Sequence, residues 1–304
     1  MTHLDGRLDG LMFFPVTAFD RSGALDLDTF RRHVAQRLAD GPGAVFACCG
    51  TGEFFSLDLR EYRAAVAVVV EEAAGSVPVI AGTGYGLPIA RRFADAAAEA
   101  GADGLLAMPP YLVRGDQDGL LAYYRDLASR TDLDMIVYQR DNVVFTPETV
   151  VELAADPHVI GFKDGIGDLD LMRRIVGAVR ASGHDLVYFN GMPTAEMTAQ
   201  AYGGIGVRRY SSAVFCFAPD LALAFWTAYD KGDTATVDRL LDGFWRPYVE
   251  LRRRRPGYAV ALVKAGVVAE GTDVGSVRPP LSPPPPEDVA ALRRIIDAGR
   301  ELIA

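Results

Sequence analysis

The strongest constraint on the fold is an alternation that repeats along most of the chain. Eight short apolar runs, at 11–17, 44–49, 77–81, 104–108, 135–138, 159–163, 186–190 and 205–210, have the length of buried strands. Seven stretches of helical period separate them, at 27–39, 59–74, 88–100, 117–129, 147–155, 169–181 and 194–202. Continuous apolar runs suit strands covered on both faces, and a helix between successive strands makes each pair parallel. Eight such units are the number that closes a (β/α)8 TIM barrel, so the expected class is α/β. Turn chemistry supports the boundaries. Gly41-Pro42-Gly43, Gly101-Ala102-Asp103-Gly104 and Gly203-Gly204 end helices just before strands. Pro88, Pro147 and Pro193 stand near helix starts, where a missing N–H costs little.

Beyond Tyr210 the strand signals stop. Helical stretches at 218–230, 233–255 and 257–270 lead to a proline-rich connector at 279–286 and a last helix at 287–303. The connector reads as a stiff surface segment. We therefore expect a barrel over 1–215, with C-terminal helices over 216–304 packed on it as one structural unit. A chain of 304 residues fits this, because α/β barrels reach that length as single domains.

Charge and cysteine usage narrow the function. The formal net charge of -9 argues against nucleic acid or an anionic membrane as partner, and leaves a small anionic substrate open. No apolar stretch is long enough to span a bilayer. Cys48, Cys49 and Cys216 are odd in number and lack framework spacing, which points to a reducing cytoplasm. Cys48 and Cys49, as strand neighbours, face opposite sides, which disfavours a disulfide or a shared metal between them. His3, His33, His158 and His184 show no ligand spacing, so no metal site is expected.

Chemistry in such a barrel gathers at the carboxyl ends of the strands. Those ends carry Gly50-Thr51-Gly52-Glu53, Gly82-Thr83-Gly84, Tyr138-Gln139-Arg140, Lys163-Asp164-Gly165, Asn190-Gly191 and Tyr210-Ser211-Ser212. Lys163 is one of three lysines and closes an apolar strand. Burial disfavours its ammonium form, lowers its pKa and makes the amine a nucleophile able to form an imine. The alternative is a side chain that escapes to solvent at the strand end. Tyr138 is a core aromatic or, beside a buried amine, an acid/base. Gly50, Thr51 and Gly52 form a tight strand-to-helix turn whose N–H groups and hydroxyl suit a carboxylate. Gly82, Gly84 and Gly86 lack dinucleotide-fingerprint spacing. Arg252 to Arg255 read as a solvated helix face or end. Lys264 falls on a helix outside the strands and reads as structural.

With these residues laid out, the chain resembles the dihydrodipicolinate synthase / N-acetylneuraminate lyase superfamily over nearly its whole length. The motifs are Phe14-Pro15-Val16-Thr17, Gly50-Thr51-Gly52-Glu53-Phe54-Phe55-Ser56-Leu57, Pro109-Pro110-Tyr111-Leu112 and Tyr138-Gln139-Arg140-Asp141-Asn142. They continue with Gly161-Phe162-Lys163-Asp164-Gly165, Tyr210-Ser211-Ser212-Ala213-Val214-Phe215 and Gly257-Tyr258-Ala259-Val260. Within the superfamily it looks most like the branch that dehydrates and decarboxylates 5-dehydro-4-deoxyglucarate in glucarate catabolism.

The resemblance implies that Lys163 is the Schiff-base lysine, Tyr138 the catalytic tyrosine and Thr51 the holder of the substrate's α-carboxylate. Gly50 replaces the first threonine of the superfamily's Thr-Thr-Gly-Glu motif. Leu112 stands where dihydrodipicolinate synthases lend a tyrosine to the neighbouring subunit. Gln139 replaces the asparagine usual in this branch, with little effect expected if its side chain faces away from the imine. The implied reaction needs no metal or diffusible cofactor. The implied assembly is a cytoplasmic homo-oligomer, dimer or tetramer. Arg140, Asn190, Thr194, Ser211 and Ser212 are candidates by position for the rest of an anionic sugar acid. Alternatives are a retro-aldol lyase on a related 2-keto-3-deoxy sugar acid, dihydrodipicolinate synthase activity, and a barrel that only binds a sugar acid.

Overall fold

The structure, a computed structural model, describes Leu4 and residues 6–304; His3 lies outside the described residues. Eight parallel strands close in chain order. They are β1 (Met12–Phe13), β2 (Ala44–Ala47), β3 (Val79–Thr83), β4 (Gly104–Ala107), β5 (Asp134–Gln139), β6 (Val159–Asp164), β7 (Val187–Asn190) and β8 (Arg209–Ser212). The seam pairs Met12 with Ser211 and Phe13 with Ser212. Between strands run α1 (Leu27–Leu38), α2 (Leu59–Ala73), α3 (Leu87–Glu99), α4 (Gln117–Ala128), α5 (Pro147–Ala154), α6 (Leu169–Ala181) and α7 (Ala199–Gly204). Short polar side chains start most of these helices. Asp26, Asp58, Asp116, Thr146 and Asp168 each accept from a backbone N–H of the first turn, and Asp58 with Glu61 completes a capping box.

Strand alternation sorts the core into two layers. Met12, Phe46, Ile80, Leu106, Ile136 and Phe189 fill the bore. The alternate strand positions, including Phe13, Val45, Ala81, Leu105, Val137 and Phe162, pack outward against the helices. The C-terminal helices share that outer layer. They are α8 (Pro219–Lys231), α9 (Thr234–Leu240), α10 (Arg246–Arg252), α11 (Tyr258–Ala269) and α12 (Pro286–Glu301). Tyr248, Leu262, Leu292 and Ile296 among them, with Trp245 just before α10, are buried in the same apolar cluster as the barrel's outer face.

Several boundaries differ from the sequence expectation: the first strand, expected at 11–17, is Met12–Phe13, and the helix expected at 194–202 is a 3-10 turn at Ala195–Thr198 followed by α7. The eighth strand was expected at 205–210 but begins at Arg209. Ile205, Gly206 and Val207 instead turn their N–H groups back to Tyr202 and Gly203 and close the end of α7, with Gly206 at φ +91°. Ser211 and Ser212 thereby become strand residues. The stretch 233–255 was expected to be one helix, and a π-turn at Leu241–Trp245 interrupts it. Pro247 has no N–H to offer the carbonyl of Gly243, so the regular ladder cannot continue through it.

Candidate active site

Strand parity places Lys163. Phe162 faces the outer layer, so Lys163 points into the bore at its carboxyl end. The register sets Tyr138 of β5 directly beside it. Lys163 is 5 % exposed. Its Nζ lies 4.1 Å from the ring centre of Phe14, 5.0 Å from that of Tyr138 and 5.9 Å from that of Phe46. Its hydrogen-bond partner is Ser211 Oγ at 3.3 Å. Burial pulls the amine down to about 7, and the Arg140 charge pushes the same way. A Cys49 thiolate would oppose this, but burial pushes that thiol up to about 12, so it is uncharged at neutral pH. Lys163 is thus a desolvated amine poised between its two forms.

Tyr138 donates from its hydroxyl to the Gly191 carbonyl at 2.9 Å and accepts from Arg140 Nη1 at 3.4 Å. Burial raises its pKa against the pull of Arg140, so the phenol keeps its proton at neutral pH. Two glycines make room for this pairing. A Cβ on Gly191 would come within 2.8 Å of both Lys163 Cγ and the Tyr138 ring, and one on Gly165 within 2.9 Å of the Tyr138 hydroxyl.

The turn after β2 is closed by Phe54 N–H to Cys49 O at 3.1 Å and Glu53 N–H to Gly50 O at 3.2 Å. Those bonds leave the N–H groups of Thr51 and Gly52 uncommitted to the turn. Thr17 Oγ1 donates to the Gly52 carbonyl at 2.7 Å and pins the turn to the segment after β1. Gly50 is exposed and Thr51 half-buried on the same rim as Lys163. Arg140, half-buried, also reaches Asp141 at 3.1 Å. Thr194 is half-buried with left-handed backbone at the head of a 3-10 turn, Ala195–Thr198.

Two of the residues picked out by position sit elsewhere. The Asn190 amide is consumed by its own loop: it donates to Ala195 O at 3.1 Å and Thr198 Oγ1 at 2.9 Å, and accepts from Met192 N–H at 3.1 Å. It shapes the loop after β7 and has little left for a ligand. Ser212 alternates with Ser211 and so faces outward, fully buried, where its Oγ approaches the Glu196 carboxyl without well-formed hydrogen-bond geometry. The pairing with β1 divides the two serines, Ser211 beside bore-facing Met12 and Ser212 beside outward-facing Phe13. Arg252 to Arg255 fall at a helix end, one of the two readings given for them: Arg252 is the last residue of α10 and half-buried, whereas Arg253 to Arg255 are exposed.

Gln139 faces the outer layer. It donates to Asp164 Oδ1 at 2.8 Å and accepts from Phe145 N–H at 3.2 Å, while Tyr202 donates to the other oxygen of Asp164. This network braces β5 and β6 from behind. Missing from the sequence reading were Phe14 and Phe46, the walls around the amine. Also missing was the burial of Lys264, 2 % exposed, against Glu53. A second lysine inside an apolar helical run was the one signal for that pair. All three cysteines are free and buried. Among the described residues, no three His, Cys, Asp or Glu side chains gather at metal-binding spacing, and no helix is long and apolar enough to cross a membrane.

Comparison with known proteins fits this geometry. Residues 7–299 match the model of the Dihydrodipicolinate synthetase family. A probable 5-dehydro-4-deoxyglucarate dehydratase of Streptomyces griseus subsp. griseus is 63 % identical over 97 % of this chain and 93 % of its own. A probable 5-dehydro-4-deoxyglucarate dehydratase 1 of Streptomyces avermitilis is 60 % identical over 97 % and 94 %. The crystal structure of dihydrodipicolinate synthase from Bacillus clausii superposes with a TM-score of 0.89 at 26 % identity, covering 98 % of this chain and 99 % of that one. With a shared barrel, a shared helical tail and this level of identity, the chain belongs to the dihydrodipicolinate synthetase family.

Proposed function

We propose that the chain is a 5-dehydro-4-deoxyglucarate dehydratase working through an imine at Lys163. The observation that carries this reading is the buried Lys163 amine, held near neutrality with no carboxylate partner among the described residues and set beside Tyr138. The names of the 60–63 % identical relatives supply the substrate.

The substrate's α-carboxylate binds the turn Gly50, Thr51 and Gly52. The neutral Lys163 amine attacks the C5 ketone, and loss of water gives the imine. A proton leaves C4 and its electron pair forms an enamine. The enamine expels the C3 hydroxyl, which Tyr138 protonates as it leaves. The resulting C3=C4 double bond is conjugated with the imine, so the C1–C2 electron pair can flow into that sink as C1 departs as CO2. Protonation on carbon, tautomerisation of the C2 enol to an aldehyde and hydrolysis of the imine release 2,5-dioxopentanoate and regenerate Lys163. Ser211 lies within reach of the imine nitrogen. Arg140 offers the charge for the distal carboxylate, and Thr194 and Ser211 the donors for the hydroxyls. No metal or diffusible cofactor enters these steps.

The protein works in the cytoplasm as a homo-oligomer, with the barrel and helical tail as one unit. Support for assembly comes from one rim, where Phe55, Tyr111, Leu112, Val113 and Val144 expose large apolar side chains. A second copy covers them. Leu112→Ala is expected to weaken assembly, read by sedimentation, without changing turnover of the assembled protein, because leucine carries no proton.

Incubation with 5-dehydro-4-deoxyglucarate followed by mass analysis tests the reaction. Release of CO2 and 2,5-dioxopentanoate supports it. Pyruvate among the products would replace it with a retro-aldol cleavage.

A further inference from the structure

Glu53 ends the turn that carries Thr51, and it is fully buried with a left-handed backbone, φ 54°. A glutamate there is costly in both conformation and desolvation unless something holds it. Both of its carboxylate oxygens are held by the C-terminal extension. Lys264 Nζ of α11 lies 2.9 Å from Oε1, and the backbone N–H of Arg278 donates to Oε2 at 3.0 Å. Lys264 is itself fixed by donating to Ser276 O at 2.8 Å, with its Nζ 4.1 Å from the ring centre of Phe19. The Arg278 guanidinium spans the outside of the same turn. It donates to Ser56 O at 2.6 Å, to Gly23 O at 2.7 Å and to Glu61 at 2.6 and 2.8 Å. Apart from the Ser276 bond, which lies within the extension, each contact runs from the extension to the segment bearing Thr51 or to the segments flanking it. None runs toward Lys163.

We propose that Lys264 and Arg278 are positioning residues, a clasp through which the C-terminal extension sets the geometry of the carboxylate-binding turn by way of Glu53. This rests on the reading that Thr51 and its neighbours bind the α-carboxylate. The clasp acts on binding and leaves the imine-forming amine alone, so its loss weakens affinity for any 2-keto acid more than it slows chemistry.

The test uses pyruvate, which presents only the α-carboxylate and the ketone. Lys163 is trapped with cyanoborohydride over a range of pyruvate concentrations and the adduct is read by intact mass. In parallel, kcat and KM are measured with the sugar acid. Three variants are compared with the parent: Thr51→Val, Lys264→Met, and the double Lys264→Met/Glu53→Gln. The double variant strands no charge in the interior and carries the test if the single one does not fold. Expected for the double variant is a half-saturating pyruvate concentration raised about tenfold, with full adduct at saturation, KM raised in parallel, and kcat lowered by less than KM rises. A merely structural role would instead reduce the extent of trapping or kcat while leaving half-saturation in place. The proposal is overturned if the folded double variant saturates at the parent's concentration while Thr51→Val does not. If Thr51→Val also saturates at the parent's concentration, the carboxylate-turn reading fails and takes the clasp with it, an outcome distinguishable from the first by that single variant.

Discussion

Two buried lysines stand in nearly the same surroundings and differ in one respect. Lys163, in the bore, and Lys264, between barrel and tail, each hold the amine 4.1 Å from the centre of a phenylalanine ring, Phe14 and Phe19. Burial lowers both pKa values. Lys264, however, meets the Glu53 carboxylate at 2.9 Å and the Ser276 carbonyl at 2.8 Å, and Glu53 works against the effect of burial. Among the described residues, Lys163 hydrogen-bonds only the Ser211 hydroxyl, at 3.3 Å. Burial alone therefore does not separate the two amines; the counter-charge does. A buried ammonium with a carboxylate beside it is a structural cation, and the same group without one is a base waiting for a carbonyl.

The comparison can be broken most directly at Lys163. Lys163→Met is expected to abolish turnover and borohydride-dependent labelling while leaving a folded protein of equal or greater stability. Below about pH 7 the folded state must bury an ammonium, so this group's contribution to stability is poorest there. It improves as pH rises from about 7 toward the unfolded value of about 10, because the unfolded chain holds that proton longer. Denaturant melts should show that slope in the parent and lose it in the variant. Residual labelling, with Lys264 as the labelled site, would reverse the assignment of the two lysines.

Tyr138→Phe is the next largest effect, a fall in kcat of roughly 10²–10⁴-fold with KM little changed. Steady-state kinetics beside a trapping experiment separate this from lost imine formation, and near-parental kcat would remove the phenol from proton transfer. At Lys264 the expected sign on stability is opposite to that at Lys163. Lys264→Met strands the Glu53 carboxylate and should cost about 3–5 kcal/mol in urea unfolding, most of it recovered when Glu53→Gln is added. A stability cost below about 1 kcal/mol would mean that the ion pair is not formed in solution. The smallest effect is on pH dependence. The neutral fraction of Lys163 grows as pH passes through its folded pKa, so kcat/KM should rise through about pH 7 and level off above it. A limb that keeps climbing toward about pH 10 would show an ordinary, solvated lysine.

Much of the site was legible because it is local. Lys163 ends an apolar strand, Tyr138 ends the strand before it, and Gly50-Thr51-Gly52 follows a third; rim position can be read from where each run stops. What failed to be legible depends on parity and on long-range pairing. Ser211 and Ser212 are adjacent and alike in sequence, and the face each presents is fixed by the register of β8 against β1, where Ser211 pairs with Met12 and Ser212 with Phe13. Asn190 looked available until its loop folded back and consumed the amide. Lys264 looked like packing because its partner lies on the far side of the barrel sequence, at the end of the turn that holds Thr51.

By itself the sequence determined the eightfold alternation, the barrel it closes into and the rim on which the strand-end polar residues gather. Each of these follows from hydrophobic period and chain punctuation within a few residues. Only the tertiary structure decided which buried lysine has a counter-charge, which of two serines faces the amine, and how the tail reaches the turn that carries Thr51. The reason is physical: a charge's state is set by what lies within a few ångströms of it in space, and folding brings those neighbours from distant parts of the chain.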